Sequence, residues 1–349
     1  MDKISVALSR WYNTKNYLFP WREDSSAYSV WISEIMLQQT QVSTATPYFK
    51  SWMNKFPCVK SVATAQIDDI LKTWEGLGYY QRAHNIFFTA QTIINKYKGV
   101  FPETYDELIQ LKGVGDYTAS AIMSISYNKP YPSIDGNLKR VIARLYGIND
   151  FKTIVEQSKK HISILMIYTN PSIINQSLMD LGREVCTPKN PKCIICPINT
   201  FCIGFNNNLI EKFSIKPTSK KIPIFDVSVG LIIQNNNILI SKRKKEGLLG
   251  GLWELPGGKL VASESFKKCL KREVLEELDI KIKIINEIGT IKHQYSHFKI
   301  NMRGFKCKIK SGSPKPLVSD GIKWINFNEI KNYAFPKATL KLFNIVDND

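Results

Sequence analysis

The chain has 349 residues and a formal net charge of +18, with an isoelectric point near 9.4. No apolar run approaches the roughly 18 residues that a membrane helix needs, and the N-terminus lacks the apolar core and cleavage site of a signal peptide. We therefore expect no membrane association and an intracellular, cytoplasmic protein, in which the seven cysteines are metal ligands or free thiols rather than disulfides. So basic a balance favours a polyanionic partner, most commonly nucleic acid.

The hydrophobic pattern divides the chain in two. Residues 1–205 are predicted as helices joined by short Gly/Pro turns, and residues 206–224 as a polar, basic linker. Residues 225–349 predict an α+β unit, with two strands around an Asn-rich turn and a strong helix over residues 265–278. Within the first part, the helices are expected at residues 68–74, 81–97, 105–111, 117–127 and 138–146, the last closed by Gly147.

The stretch WISEIMLQQTQV, residues 31–42, predicts a helix capped by Ser25 or Ser26. Its one acid, Glu34, has mostly apolar neighbours at helical spacing. A carboxyl group in such surroundings stays protonated to higher pH, as a general acid near neutrality must. The polar residues 38–41 that follow could contact base edges or fill a vacated place in a duplex. The alternative is an amphipathic helix that tolerates one glutamate.

Two aromatic motifs flank this stretch. Trp21 and Arg22 lie just before it and could stack on, or bond to, a base, although a packed Trp beside a surface Arg is equally compatible with the pattern. The GLGYY turn at residues 76–80 could push Tyr79 between stacked bases. A structural turn with a core tyrosine is its alternative.

The sequence LKGVGDYTA, residues 111–119, predicts a hairpin turn between helices at Gly113 and Gly115. Backbone N–H groups at the start of the next helix can hold one phosphate without reading sequence. Asp116 is an unhelpful charge at such a place, and a plain interhelical turn is the alternative.

Asp135 stands just before another amphipathic helix, where an aspartate is an ordinary N-cap. If Asp135 and Glu34 converge, one carboxyl can protonate a leaving group while the other stays ionised beside an oxocarbenium ion. That is the logic of glycoside hydrolysis.

Four cysteines follow a C-x6-C-x2-C-x5-C pattern, which in an intracellular chain indicates a metal site. They are Cys186, Cys193, Cys196 and Cys202. Zinc is the generic alternative, but the spacing resembles the [4Fe-4S] loop of the endonuclease III superfamily. Cys58, Cys269 and Cys307 have no such spacing, and we expect them to be inert.

Taken in order, the Glu34 helix, the GLGYY turn, the hairpin, the Asp135 element and the cysteine loop resemble the adenine DNA glycosylases of the MutY type over nearly all of residues 1–205. The resemblance implies a helix-hairpin-helix glycosylase of two helical lobes with an iron–sulfur loop, followed by a Nudix-like domain. Endonuclease III, the runner-up, carries a catalytic lysine where this chain has Tyr117. A monofunctional enzyme that does not cleave the strand is therefore implied.

The resemblance also assigns roles. Glu34 would protonate a flipped adenine at N7 and later help to activate water, and Asp135 would stabilise the sugar cation, assisted by Asn137 and Tyr117. The remaining matches are the adenine pocket (Trp21, Arg22, Leu37, Gln176), the residues wedged into the duplex (Gln39, Tyr79) and the phosphate-binding hairpin (Gly113, Gly115).

In the C-terminal part, Tyr295-Ser296-His297 resembles the loop with which MutY proteins contact 8-oxoguanine; a polar pair at a strand edge is the alternative. Residues 258–280 are close to a full Nudix box. Its acids Glu273, Glu276 and Glu277 share one helix face and could bind Mg²⁺ around a pyrophosphate, although the glycosylase itself is not expected to need Mg²⁺. An ancestral helix in a recognition module is the main expectation, and 8-oxo-dGTP pyrophosphatase activity is the minority hypothesis.

The resemblance therefore implies a DNA glycosylase that removes adenine opposite 8-oxoguanine or guanine in double-stranded DNA. We expect a monomer associated with the bacterial nucleoid. A bifunctional lyase and a catalytically inactive DNA-binding protein remain as alternatives.

Overall fold

The computed structural model describes residues 2–15, 17–150, 152–213, 222–295 and 297–346. The chain forms two compact units. The first comprises Met1–Thr64 and Asn85–Thr218, and the second comprises Ala65–His84 and Ser219–Asp349. Residues 65–84 thus group with the C-terminal part, which a single domain boundary near residue 205 does not anticipate.

The chain before the predicted linker is helical, with a π-helical turn at Ile122–Ser126 and 3-10 turns at Cys193–Ile195 and Asn199–Phe201. Its α-helices are α1 (Lys3–Asn13), α2 (Pro20–Glu23), α3 (Ala27–Leu37), α4 (Val42–Lys55), α5 (Val59–Ala63), α6 (Ile67–Thr73), α7 (Gln81–Tyr97), α8 (Tyr105–Leu108), α9 (Asp116–Ala121), α10 (Gly136–Tyr146), α11 (Ile154–Ile167), α12 (Pro171–Glu184) and α13 (Ile203–Asn206).

Local capping explains several helix ends. The Ser26 side chain accepts from the backbone N–H of Ser29 and begins α3, and Gly147, with a φ of 70°, ends α10. The predicted helix over residues 31–42 is wrong in its second half. It stops at Leu37, because Gln39 takes a left-handed φ of 57°, and α4 begins afresh at Val42.

Two further helix predictions need correction. The helix expected over residues 105–111 ends at Leu108. The helix expected over residues 117–127 becomes the α9 helix followed by the wider π turn. Such π turns insert a residue and thereby change which side chains face a site; here Ile125 of the turn lines the cavity described below.

The first unit contains two groups of packed helices. In one group, α3 packs against α2, α4 and α9, and in the other, α10 and α1 pack against α12. The second group encloses a core that includes Leu8, Ile142, Ile174 and Leu178, each fully buried. The loops before α2 and before α10, which connect the two groups, supply residues to the cavity described in the next section.

The described residues of the second unit form seven strands and two further helices. These are β1 (Ile224–Gln234), β2 (Asn237–Lys242), β3 (Trp253–Glu254), β4 (Gly257–Lys259), α14 (Phe266–Leu278), β5 (Lys281–Gln294), β6 (Lys299–Ser311), β7 (Gly321–Asn326) and α15 (Lys337–Val346), with a 3-10 turn at Phe327–Asn332. The strand order is β3-β2-β1-β6-β5, with β4 on β1 and β7 on β2. Only the β1–β6 pair is parallel among the described ladders.

Side chains alternate across β1 between two apolar clusters. Leu231 belongs to the cluster shared with Phe335 and Leu342 near α15, whereas Ile232 belongs to the cluster under α14. Asn235 and Asn236, both with positive φ, make the predicted turn between β1 and β2. The predicted linker over 206–224 overlaps the start of β1 at Ile224, and its residues 214–221 lie outside the described part of the chain.

The expected fold class, a mainly helical N-terminal region followed by an α+β unit, is confirmed. Among the described helices none is long and apolar enough to cross a membrane.

Candidate active site

A cavity of about 760 Å³ opens in the first unit. The helices α2, α3, α9 and α12 and the loop before α10 contribute to its wall. Eight predicted site residues line it: Trp21, Arg22, Glu34, Leu37, Tyr117, Asp135, Asn137 and Gln176.

Glu34 is a buried acid, with 6% of its surface exposed. The Tyr117 hydroxyl donates a 2.6 Å hydrogen bond to Glu34 Oε2. Burial, together with the charge of Asp135, raises the pKa of Glu34 to about 7. The Tyr117 hydrogen bond and the Arg22 charge oppose this rise. Near neutral pH this carboxyl group is therefore poised to give up or accept a proton at the cavity wall.

Asp135 caps α10, as the local sequence suggested, and it also lines the cavity. Its carboxylate accepts from the backbone N–H of Leu138 at 2.7 Å and from Asn137 Nδ2 at 2.9 Å. Burial raises the pKa of Asp135, while these donors and the charge of Arg140 oppose the rise. Because the Asp135 charge is one of the causes that raise the pKa of Glu34, the two carboxyl groups form an electrostatically coupled pair.

Asn137, whose side-chain amide donates to Asp135, is itself held in place. Arg140 donates to Asn137 Oδ1 at 2.8 Å, and also to the backbone oxygens of Gly182 at 2.6 Å and Cys186 at 2.7 Å. Gly182 lets α12 approach α10 at this point, since a Cβ there would lie 2.6 Å from the Asn137 Cβ. The sequence pattern gave no sign of the role of Arg140.

Asp180 is a second residue that sequence reasoning missed. It is buried, lines the cavity, and accepts a 2.7 Å hydrogen bond from Arg22 Nη1. The Arg22 guanidinium lies over the rings of Tyr17 and Phe19, 5.1 and 5.0 Å from their centroids. A partner 158 residues away cannot be seen in a local motif, although Asp180 and Arg183 stand at salt-bridge spacing on α12.

The four predicted cysteine ligands line one small cavity with apolar walls between α10, α12 and the following loop. Among the described residues, no three His, Cys, Asp or Glu side chains are grouped so as to hold a single metal ion. Four thiols around one apolar space suit a polynuclear cluster bound through cysteine. Arg144 lies beside them, donating to the Thr187 and Pro188 carbonyls at 2.8 and 3.1 Å and contacting Cys186 Sγ at 3.4 Å.

The other cysteines differ from one another. Cys269 and Cys307 are buried, whereas Cys58 is exposed, and hydrogen bonding with Ser61 lowers its pKa. Exposure and thiolate character favour reactivity, so the expectation of an inert thiol suits the two buried residues better than Cys58.

The hairpin turn contains one glycine, Gly113, at which a side chain would not fit. Gly113 has a φ of 80° and lies so close to Asn85 that a Cβ would meet its side chain at 2.7 Å, whereas Gly115 faces open space. The Thr89 hydroxyl donates to the Lys112 carbonyl at 2.7 Å and fixes the turn. Asp116 is countered by Lys159, whose Nζ lies 3.0 Å from its carboxylate, so the negative charge at this place is compensated.

Gln39 and Tyr79, the predicted wedge residues, both adopt left-handed backbone conformations, with φ of 57° and 49°. Gln39 is not part of the cavity lining. In the second unit, the Tyr79 and His297 rings make an edge contact at 5.8 Å. Tyr295 instead stacks on Phe298 at 4.7 Å, and Ser296 lies outside the described residues.

The second unit has its own cavity of about 380 Å³. Glu273, Glu277 and Tyr295 line it, but Glu276 does not. Glu276 instead pairs with Arg272, at 3.1 Å. The three acids predicted as a Mg²⁺ site thus share a helix face but do not all reach one space.

Three family models match the chain. The HhH-GPD superfamily of base excision DNA repair proteins matches residues 32–163, the iron-sulfur binding domain of endonuclease III matches residues 186–202, and the NUDIX domain matches residues 228–344. Among solved structures, a thermostable thymine-DNA glycosylase is similar, with a TM-score of 0.55 and 26% identity, covering 58% of this chain and 95% of that one. Fold and site together define a DNA N-glycosylase with a [4Fe-4S] cluster and a Nudix-like domain, as predicted.

The relatives specify the family. The adenine DNA glycosylase of Buchnera aphidicola subsp. Acyrthosiphon pisum (strain APS) is 35% identical, over 97% of this chain and 96% of its own length. The adenine DNA glycosylase of Homo sapiens is 28% identical, over 97% of this chain and 73% of its own. The chain belongs to the adenine DNA glycosylase family.

Proposed function

We propose that this enzyme hydrolyses the N-glycosidic bond of adenine paired with 8-oxoguanine, or with guanine, in double-stranded DNA, and leaves the strand intact. The observation that carries the proposal is the buried Glu34, with a pKa of about 7, in one cavity with the carboxyl group of Asp135. One acid that holds its proton near neutrality and one carboxylate supplied with hydrogen-bond donors are what cleavage through an oxocarbenium-like state requires.

In this mechanism Glu34 donates its proton to N7 of the extruded adenine, which makes the base a better leaving group. Cleavage of the C–N bond leaves positive charge on the sugar, and the Asp135 carboxylate stabilises it at close range. Ionised Glu34 then takes a proton from the attacking water. Asn137 orients Asp135 through its 2.9 Å hydrogen bond, and Tyr117 orients Glu34.

Strand cleavage by a Schiff-base mechanism needs an amine at the sugar. The described residues that line the cavity include no lysine, and the Tyr117 hydroxyl is already engaged with Glu34. Both features favour the monofunctional reaction over the endonuclease III-like alternative.

The remaining residues divide between base and backbone contacts. Trp21, Arg22, Leu37 and Gln176 would enclose the adenine. The adenine must leave the stack to reach them, and Gln39 and Tyr79 would fill the duplex around the lesion. Backbone N–H groups after Gly113 and Gly115 would hold one phosphate.

In the second unit, Tyr295, Ser296 and His297 would contact the oxidised base. The four cysteines would hold the cluster in the first unit and so fix the loop whose Cys186 carbonyl accepts from Arg140. We place the enzyme, as a monomer, on bacterial nucleoid DNA in the cytoplasm.

One assay tests this proposal. A duplex with a labelled adenine strand opposite 8-oxoguanine is incubated with the full chain and analysed with and without alkali. Strand breaks only after alkali are the expected result. Breaks without alkali, with a borohydride-trapped covalent complex, would establish a lyase, and lesion-dependent binding without base release would establish a catalytically inactive DNA-binding protein.

A second candidate function rests on the 380 Å³ cavity of the second unit, whose lining includes Glu273, Glu277, Tyr295 and Phe298. Carboxylates beside aromatic rings could bind a purine nucleotide with Mg²⁺. The full chain would then hydrolyse 8-oxo-dGTP in the presence of Mg²⁺. Turnover no faster than that of a Glu273→Gln/Glu276→Gln/Glu277→Gln variant would eliminate this activity.

A further inference from the structure

The turn that bears Tyr79 is held by the β-sheet unit. Residues 65–84, here called the tyrosine segment, group with the C-terminal residues in one compact unit. Glu75 Oε1 accepts the backbone N–H of Phe335 at 2.8 Å. Lys72 Nζ donates to the Tyr333 carbonyl at 2.9 Å and to Glu75 Oε2 at 2.7 Å.

Two further contacts fix both ends of the segment. Near its start, Lys242 Nζ donates to Asp68 at 2.6 Å. At its end, His84 Nε2 lies 2.9 Å from the Gly250 carbonyl. A Cβ on Gly251 would lie only 3.0 Å from the His84 ring and 3.1 Å from Leu71, so the two chain segments pack closely at this point.

Inside the segment the turn itself is tightly bonded. The Trp74 indole donates to the Gly78 carbonyl at 2.9 Å, and the Tyr80 hydroxyl accepts from the Gly76 N–H at 3.0 Å. Tyr79 has a φ of 49°, a conformation unfavourable for a residue with a side chain unless its surroundings enforce it. Its ring then meets that of His297.

We propose that Glu75 is a positioning residue for lesion recognition. Glu75 binds the Phe335 backbone directly and the Tyr333 backbone through Lys72. It thereby sets the place of Tyr79 beside His297. This inference rests on the proposed function, in which Tyr79 enters the duplex near the oxidised purine. Glu75 therefore controls how well the enzyme distinguishes 8-oxoguanine from guanine opposite adenine, although its own bonds are to protein groups.

The test uses the full chain on duplexes with adenine opposite 8-oxoguanine and opposite guanine, with binding and single-turnover base release measured for each. Glu75→Ala removes the partly buried acceptor of the Phe335 N–H. The free energy of that hydrogen bond is enough to lower the preference for 8-oxoguanine over guanine about tenfold. Glu75→Gln keeps an oxygen for the Phe335 N–H and should retain most of the preference. Glu156→Ala, which removes an exposed carboxylate on α11, is the matched control.

A double-mutant cycle separates positioning from general stability. If Glu75 acts through Tyr79, Glu75→Ala lowers the preference no further in a Tyr79→Ala background. Should Glu75→Ala fail to fold, Lys72→Met replaces it in the same cycle. This change removes the link from Glu75 through Lys72 to the Tyr333 carbonyl, while the remaining Glu75–Phe335 bond supports folding. An unchanged preference in the folded variant, or losses that simply multiply in the cycle, would overturn the inference.

Measurements on the wild-type chain distinguish a wrong positioning role for Glu75 from a wrong proposed function. If the unmodified enzyme releases no adenine or shows no preference for 8-oxoguanine, the proposed function is wrong. If it shows the preference and the Glu75 variants keep it, only the positioning role is wrong.

Discussion

Each unit contains a glutamate whose pKa is raised to about 7: the buried Glu34 in the first and the half-buried Glu277 in the second. Burial is the main cause in both, but the surroundings differ. Glu34 has a neutral hydroxyl partner, Tyr117, and faces a 760 Å³ cavity. Glu277 lies near the charges of Glu254 and Glu273 and accepts from the Gly257 N–H at 3.2 Å.

The comparison shows that a raised pKa alone does not identify a catalytic acid. Nearby cations already pair with the carboxylates around Glu277, as Arg243 binds Glu254 and Arg272 binds Glu273. Glu34 instead lines an open cavity together with a second carboxyl group, Asp135, where we propose that it transfers a proton to the base. Substitution of Glu34 should therefore impair adenine release, whereas the same substitution of Glu277 should leave it unchanged.

The largest expected effect is that of Glu34→Gln. The amide keeps the shape but has no transferable proton, so adenine release should fall by about 10²–10⁴-fold, the usual contribution of general acid–base catalysis. Single-turnover assays measure it, with binding to the same duplex as the check on folding. Glu277→Gln is the control and should release adenine at the wild-type rate; equal losses in both variants would contradict the distinction.

Asp135→Asn comes next. Asparagine is as good an N-cap as aspartate, so α10 should remain intact while the negative charge that we propose stabilises the sugar cation is lost. We expect a drop of about 10²–10³-fold in base release, similar to the removal of other transition-state stabilisers, with lesion binding retained. Near-normal excision by the folded variant would remove Asp135 from the mechanism.

A smaller effect concerns pH. Because Glu34 must be protonated, the rate of base release should fall as pH rises through about 7. The Tyr117 hydrogen bond favours the ionised form, so Tyr117→Phe should move the midpoint to higher pH by roughly half to one unit, as a bond of about 1 kcal/mol implies. The normalised pH profiles of the two enzymes measure it, and a midpoint moving downward would contradict the assigned interaction.

The smallest effect is on stability. A carboxyl group whose pKa is raised by folding weakens the fold as pH increases from its unfolded value, near 4.5, to its folded value of about 7. Glu277→Gln removes this penalty and keeps an acceptor for Gly257. Because Glu277 is only half-buried, solvent screening reduces the penalty that the pKa shift implies. The free energy of unfolding of the variant should exceed that of the wild type by on the order of 1 kcal/mol at pH 8, with the difference vanishing below pH 4.5. Thermal or urea unfolding at both pH values checks this.

Local signals were sufficient for much of the fold. The Ser26 cap, the Gly147 stop, the asparagine turn after β1 and the full extent of α7 all follow from short-range chemistry. The end of α3 does not, because helix propensity over residues 31–42 gives no warning that Gln39 turns left-handed.

The site could be predicted where a residue carries its own chemistry. Glu34, Asp135 and the cysteines stand out in the sequence as an acid among apolar residues, a capping acid and a spaced set of thiols. Asp180 and Arg140 do not, since their significance lies in partners distant along the chain. For the same reason the grouping of residues 65–84 with the β-sheet could not be read from their helical pattern.

Gly182 has a consequence for engineering. A glycine within a helix normally invites replacement by alanine, a gain of about 1 kcal/mol in an exposed helix. Here the added methyl group would press on Asn137 and disturb the amide that donates to the Asp135 carboxylate. A variant stabilised on helix propensity alone would thus lose turnover through a position that does not line the cavity, so that a more stable helix would come with a slower enzyme.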